Sequence, residues 1–111
     1  MAIASVTPTP ITLAGVADTL GAANTDGYRI ANPAAHAWIE VNNGSGGSIT
    51  VTLHLVVEID GVAVAPRDVI IPAGTRRKIG VFPKAHYNDA NGDVLITFSA
   101  VTSVTFGAWT I

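Results

Sequence analysis

Apolar and polar residues alternate along most of the chain, a pattern typical of β-strands with one buried face. The clearest run covers residues 48–59, where the apolar residues of one face are Ile49, Val51, Leu53, Leu55, Val57 and Ile59. The opposite face of this run is mostly polar. The alternation therefore predicts that residues 48–59 form the longest strand of the protein.

Turn-forming residues recur at short intervals and divide the rest of the chain into further strands. We expect these strands at residues 28–31, 36–42, 68–71, 77–82, 94–99 and 101–111. The glycine-rich loop at 43–47 predicts a hairpin between 36–42 and 48–59. Roughly seven or eight strands spaced about 8–12 residues apart predict an all-β, single-domain antiparallel β-sandwich. Strand order is not encoded in the alternation, so jelly-roll-like and immunoglobulin-like topologies both remain open.

The N-terminal residues 1–14 are neutral and differ from the strand pattern. Prolines alternate with threonines in Thr7-Pro8-Thr9-Pro10, which favours extended backbone and excludes a helix. We therefore expect an extended N-terminal arm at 1–14, with a short strand at 11–13, followed by a sandwich domain at 15–111. A helical turn is expected only at 16–23. The arm is expected to add a strand to a neighbour's exposed sheet edge.

The amino-acid composition limits the classes of partner that the protein can bind. Only 13% of the 111 residues are charged, about half the usual share, so either the exposed surface is unusually uncharged or partners cover much of it, and we favour the second interpretation. The net charge is −2, and Arg76, Arg77 and Lys78 form the single basic run, which argues against direct nucleic-acid binding. The chain lacks cysteine, a signal-peptide pattern and an apolar run of membrane-spanning length, so we expect a protein that stays in the cytoplasm where it is made.

Residues with catalytic or metal-binding potential occur without a matching motif. The histidines lie on three different predicted elements: His36, His54 and His86. His54 and Glu58 would be about 13 Å apart along a strand, too far to share one metal. The loop at 89–93 has the oxygen donors of a calcium loop but lacks its final glutamate, and we interpret it as a turn, with weak calcium binding as the alternative. Nucleophile-elbow, phosphate-loop and dinucleotide motifs are missing from the sequence, so we expect no enzyme and no cofactor.

The aromatic residues suggest a surface for protein contacts. Alternation places Trp38 and Trp109 on the more polar faces of their strands. An outward tryptophan is typical of interface anchors. The alternative is that a loop, the N-terminal arm or a strand bulge covers both rings within the subunit. The predicted interface residues are Trp38, Trp109, Phe82, Pro83, Tyr87 and Ile11.

Several stretches of residues 27–106 form a distinctive set in a fixed order. They are Val51-Thr52, 59–67 (IDGVAVAPR), 69–74 (VIIPAG), 79–83 (IGVFP), 87–92 (YNDANG) and 94–99 (VLITFS). Together they resemble small structural proteins that tailed phages encode near the major capsid gene. The resemblance brings no catalytic residues with it.

The resemblance implies a role in the phage particle. A gene beside the capsid gene suggests a capsid decoration (cement) protein, which would bind the major capsid protein on the capsid exterior of the virion. Such sites lie at symmetry axes, so we expect a homo-oligomer, with a trimer favoured. The alternatives are a tail- or fibre-associated carbohydrate-binding sandwich and a head–tail joining protein. Direct nucleic-acid and membrane contacts are not expected.

Overall fold

Strands account for 49% of the structure and helix for 4%. The structure is a computed structural model that describes residues 3–16, 20–33 and 35–110. The strands are β1 (Ala4–Val6), β2 (Thr9–Pro10), β3 (Gly21–Ala22), β4 (Tyr28–Ala31), β5 (Ala37–Asn43), β6 (Ile49–Leu53), β7 (Glu58–Ile59), β8 (Val62–Ala63), β9 (Arg67–Ile71), β10 (Arg76–Gly80), β11 (Asp93–Phe98) and β12 (Val104–Thr110). The short helix α1 spans Lys84–Tyr87. The predicted all-β class is confirmed.

Two packed sheets form the sandwich. Sheet A has the order β1-β4-β11-β6-β9, and sheet B has the order β10-β5-β12-β2, with β3 also pairing with β12. From β3 onward the chain crosses to the other sheet between successive long strands, except between β6 and β9, which are neighbours in sheet A. An immunoglobulin-like sandwich instead keeps several successive strands side by side in one sheet. The strand order is therefore that of a jelly roll.

The core lies between the two sheets and contains the apolar residues that the alternation placed inward. Sheet A contributes Ile30, Val51 and Ile96, and sheet B contributes Ile39 and Val41, all of them completely buried. A second part of the core is aromatic. The rings of Tyr28 and Phe106 stack with centroids 4.2 Å apart, and Phe98 meets both edge-on.

The predicted hairpin at 43–47 is wrong. The loop carries the chain from β5 in sheet B to β6 in sheet A, and β5 pairs instead with β10 and β12. Both strands have one apolar face, and these faces oppose each other across the core instead of lying side by side. The turn residues at 43–47 are compatible with a hairpin within one sheet or with a crossing between sheets. The crossing forms because it buries the apolar faces of both strands.

The predicted long strand at 48–59 is also interrupted. Strand β6 ends at Leu53, and Glu58 and Ile59 belong to a separate hairpin with β8. This hairpin extends beyond the sandwich and turns at Asp60 and Gly61, whose φ angles are 54° and 78°. Positive φ at two successive residues is the geometry of a tight two-residue hairpin turn.

The N-terminal arm is extended, and it pairs within its own subunit. Strand β1 runs parallel to β4 in sheet A, and β2 runs parallel to β12 in sheet B, so both sheets are mixed where we expected antiparallel pairing throughout. Pro8, between the two strands, is buried. The Ile11 N–H donates to the Thr110 carbonyl. In parallel pairing only every second residue of a strand forms hydrogen bonds with the neighbouring strand. Pro8 and Pro10 alternate with the bonded residue Ile11, so they occupy positions where no N–H donor is needed.

Two expectations for this segment need revision. The strand predicted at 11–13 is wrong, because Leu13 and Ala14 form a turn after β2, closed by the Gly15 N–H, which donates to the Thr12 carbonyl. The helical turn predicted at 16–23 falls partly on residues 17–19, outside the described residues, and Gly21–Ala22 form β3. The arm also pairs with the sheet edges of its own chain, whereas we expected it to pair with a sheet edge of a neighbouring chain.

A buried asparagine marks each end of the sandwich. Asn43, at the end of β5, is completely buried, and its Nδ2 donates to the carbonyls of Gly47 and Ile71. Its Oδ1 accepts from the N–H and hydroxyl of Ser45. This side chain holds together the crossing from β5 to β6 and the crossing from β9 to β10. We call this end of the sandwich the Asn43 end.

Asn32, which precedes β5, connects chain segments at the opposite end of the sandwich. Its Oδ1 accepts from the Ala37 N–H, and its Nδ2 donates to the Phe82 carbonyl and to Asn88 Oδ1. The Asn88 amide returns a bond to the Asn32 carbonyl. Because three chain segments meet at these bonds, the loops of the Asn32 end have fixed positions relative to each other.

Candidate functional site

The two ends of the sandwich differ in their exposed side chains. Among the described residues, eight large apolar side chains are exposed. Six of them lie at the Asn32 end: Ile11, Leu13, Val56, Ile59, Val62 and Val81. The loops of the Asn43 end, at 24–27, 43–48, 72–75 and 99–103, consist mainly of small and polar residues. We call the Asn32 end, with these six side chains, the apolar end.

Three elements bring the apolar side chains to one end. Ile11 leaves β2 beside Thr110, which pairs with Ala37 at the start of β5. Val81 follows β10, which runs antiparallel to β5 and so finishes at the same end. The β7–β8 hairpin follows β6, which runs toward this end because it is antiparallel to β11.

The β7–β8 hairpin is the most prominent of these elements. Ile59 and Val62 are directly opposite each other and are 66% and 68% exposed. The hairpin is attached through the Val56 N–H, which donates to the His86 carbonyl. An isolated two-stranded ribbon is only marginally stable in water. An exposed apolar pair on such a ribbon is a feature that contact with another protein would stabilise.

Trp38 and Trp109 lie side by side on the outer face of sheet B, on the polar faces that the alternation indicated. Their rings stack with centroids 5.1 Å apart, and Trp109 is only 6% exposed. The Trp109 ring and the Leu20 side chain both lie over Gly107, where the absence of a Cβ leaves room for them. Trp109 is therefore covered within the subunit, which is the alternative that the sequence left open.

Burial corrects the interpretation of two further candidates. Phe82 is 2% exposed, and Tyr87 is also buried, with their ring centroids 6.0 Å apart. Helix α1 begins after Pro83 and turns Tyr87 back toward Phe82. Both rings belong to the core. Trp109 is covered on the outer face of sheet B, so none of these three side chains is an exposed anchor. Pro83 and Ile11 are exposed and Trp38 is half-buried, and their interface role stays a prediction.

Sequence reasoning missed the strongest exposed pair, Ile59 and Val62. The continuing alternation assigned Ile59 to the core face of β6. The signal that identifies the pair is Asp60-Gly61 with an apolar residue on each side, which is the pattern of a two-residue hairpin.

The polar residues with metal-binding potential are engaged elsewhere or isolated. Asp89 Oδ1 accepts from the N–H groups of Asn91 and Asp93, and its Oδ2 lies 3.4 Å from Arg29 Nη1. These bonds make the 89–93 loop a closed turn. His54 contacts Thr97 Oγ1, while His36 and His86 are exposed. Within residues 3–16, 20–33 and 35–110, no three His, Cys, Asp or Glu side chains are grouped to hold a metal ion.

Comparison with protein-family models, with curated proteins and with solved structures gives no match for this chain. Among the described residues, none of the helical structure has the length and hydropathy of a membrane-spanning helix.

Proposed function

We propose that this protein is a structural component of a tailed-phage particle, a capsid decoration protein that binds the outer shell through its apolar end. The observation that carries the proposal is the concentration of six of the eight exposed large apolar side chains at that end. The sequence resemblance over residues 27–106 supports the choice of partner, the major capsid protein. Fold alone does not decide function, because jelly rolls serve many purposes.

The energetics suit a protein that acts in many copies. Full burial of an aliphatic side chain is worth roughly 1.5–3 kcal/mol relative to full exposure. Ile59 and Val62 are about two-thirds exposed, so covering them provides a large part of that amount. A particle with many bound copies accumulates these modest contributions over the whole shell. The low charge content also limits the desolvation cost of contact.

The difference between the two ends of the sandwich determines the proposed orientation of the protein on the shell. The apolar end faces the shell, and the Asn43 end with its small polar loops faces outward. Copies gather around symmetry axes of the shell as a homo-oligomer, with a trimer favoured, because a closed ring matches the local symmetry. Ile11 and Leu13 lie at the rim of the apolar end and are the proposed contacts between copies.

The carbohydrate-binding alternative loses its main support. A platform for sugar stacking needs an open aromatic face. Trp109 is covered, and Trp38 stacks on it. A head–tail joining protein differs from a decoration protein in the order of its ring, which the mass of the assembled oligomer distinguishes.

The test is co-sedimentation with empty shells assembled from the major capsid protein of the same phage. We expect the native protein to sediment with the shells and the double variant I59S/V62S to bind at least about tenfold more weakly, equivalent to about 1.4 kcal/mol. The matched control is Ile70→Ser, because Ile70 is as exposed as Ile59 but lies on the outer face of β9, away from the apolar end. Equal binding by all three proteins, or no binding by the native protein, contradicts the proposal.

A further inference from the structure

The two sides of the sandwich are unequal. On one side the N-terminal arm adds β1 to the edge of sheet A and β2 to the edge of sheet B. On the other side the edges are β9 in sheet A and β10 in sheet B, and no further described strand pairs with either. A cleft of about 320 Å³ lies between them, and its apolar lining includes Leu53, Val69, Ile79, Val81, Phe82 and Tyr87. We call this the open cleft.

Two arginines flank the open cleft. Arg67 pairs in register with Leu53, and Arg77 pairs with Val41. Since Leu53 and Val41 face the core, both arginines point to the inner side of their edge strands. Arg67 lines the cleft, and Arg77 lies on the same face of β10 as the cleft residue Ile79, two residues before it. Both are exposed, and within the described residues neither guanidinium group has a hydrogen bond or ion pair.

The neighbouring cations on β10 are arranged differently. Lys78 and Arg76 alternate with Arg77 and point to the outer face, where both contact Glu40, at 2.8 Å and 3.3 Å. The outer-face cations therefore have an acidic partner in this chain, whereas the structure describes none for the cleft-facing arginines within 3–16, 20–33 and 35–110. Arg67 and Arg77 lie toward opposite ends of the cleft, because β9 runs toward the corner at 72–75 and β10 runs away from it.

The chemistry of the cleft selects its occupant. An open strand edge presents unpaired N–H and C=O groups to an extended segment. A second copy of this chain would bring the same arginines to the contact, and its arm at 3–16 contains no charged residue. A segment with carboxylates on both sides of an apolar centre satisfies the apolar lining and both arginines.

We propose that the open cleft binds an extended acidic segment of a partner protein, which adds as a strand to one of the two open edges. Its central apolar side chain lies between Val69 and Ile79, and its carboxylates pair with Arg67 and Arg77. That the partner is the shell protein rests on the function proposed above. The charge and the extended form of the segment follow from the cleft alone.

The experiment uses the purified protein and blocked synthetic heptapeptides as probes. The acidic peptide has the sequence TETVTET, in which both glutamates and the central valine lie on one face of an extended strand. Its matched controls TQTVTQT and TKTVTKT differ only at the two charged positions. Each is titrated into isotope-labelled protein and followed by amide chemical shifts. We expect TETVTET to shift the amides of β9 and β10, and we expect at least about tenfold weaker effects from the two controls.

Variants assign the contact to the two arginines. The double variant R67Q/R77Q is expected to bind TETVTET at least about tenfold more weakly than the native protein. Arg29→Gln is the control, because Arg29 lies on the outer face of sheet A and pairs with Asp89. It is expected to change the affinity less than about twofold. The dispersion of the amide spectrum confirms that each variant is folded.

Two results overturn the proposal: equal binding of the three peptides, or shifts away from β9 and β10. The arginines would then act only to prevent edge-to-edge pairing, and R67Q/R77Q would self-associate in light scattering. No shells are present in this experiment, so its failure leaves the shell-binding result standing. Conversely, loss of shell binding leaves the peptide result intact.

Discussion

Trp38 and Trp109 stack across the β5–β12 pair, with ring centroids 5.1 Å apart and planes 25° from parallel, on the outer face of sheet B. With Leu20 they form a small apolar cluster outside the main core. The sandwich therefore has apolar packing on both faces of sheet B. This explains how a tryptophan on the polar face of a strand avoids water without a partner protein.

Gly107→Ala tests this cluster. A Cβ at residue 107 would lie 2.5 Å from the Trp109 ring and 2.8 Å from Leu20, so the ring must move. We expect the free energy of unfolding, measured by urea denaturation, to fall by roughly 1–3 kcal/mol, with a red shift of tryptophan fluorescence. The control is Gly46→Ala, whose Cβ would have no neighbour within 4 Å. An unchanged stability and fluorescence spectrum in Gly107→Ala would rule out the tight packing.

The asparagine at the Asn43 end is expected to carry much of the loop structure. Asn43→Ala removes the side-chain bonds to Gly47, Ile71 and Ser45 from a completely buried position. We expect a loss of about 3 kcal/mol in the free energy of unfolding, because buried main-chain groups lose their partners. Asn42→Ala, one residue earlier on the outer face, is expected to cost less than about 1 kcal/mol. Equal losses from the two variants would contradict the role of Asn43.

Replacing the two cations that contact Glu40 should destabilise the protein more than replacing the two cations and Glu40 together. The Glu40 side chain is 5% exposed, whereas those of Lys78 and Arg76 are 69% and 49% exposed. Replacing both cations with alanine leaves a buried carboxylate without them, and we expect a loss of about 3 kcal/mol or more. Adding Glu40→Gln to that variant should recover much of the loss, because a neutral amide needs no cation. A double-mutant cycle measures this coupling, and additive effects would refute it.

Tyr28 predicts a decrease of stability at alkaline pH. Burial raises the pKa of the Tyr28 phenol, although a backbone hydrogen bond at Asn24 opposes the shift. The folded protein thus keeps this proton at a pH where the unfolded chain loses it. The stabilisation is complete below the unfolded pKa of about 10 and is lost as the pH rises toward the folded pKa.

The measurement compares urea denaturation of the native protein and Tyr28→Phe at about pH 8 and about pH 11. The variant should be about 1 kcal/mol less stable at about pH 8, because the hydroxyl donates to the Ala22 carbonyl. Its stability should also fall less steeply with rising pH. The same pH dependence in both proteins would show that Tyr28 does not contribute to it.

The alternation predicted strand positions well because it reports which face of a strand is buried. Strand β5 lies within one residue of its predicted bounds, and the inward residues Ile39 and Val41 are completely buried. Alternation cannot report which strands are partners. The loop at 43–47 has the residues of a hairpin turn, yet it crosses between sheets, because the pairing of β5 with β10 and β12 depends on residues distant in sequence.

The candidate site was less predictable for the same reason. Trp109 was assigned to the correct face, but its cover by Leu20 is a contact between distant residues. Ile59 continued the alternation of β6, and nothing in the local pattern shows that the sheet ends at Leu53. The apolar end therefore emerges only when the ends of β2, β6 and β10 are brought together in three dimensions.

The proposed function requires that other protein chains cover the apolar end. The most direct test is electron cryomicroscopy of shells of the major capsid protein decorated with this protein. We predict density on the outer surface, with the β7–β8 hairpin against the shell, Ile11 between neighbouring copies and the Asn43 end pointing outward. Density in which Ile59 and Val62 face solvent while the Asn43 end contacts the shell would contradict the account.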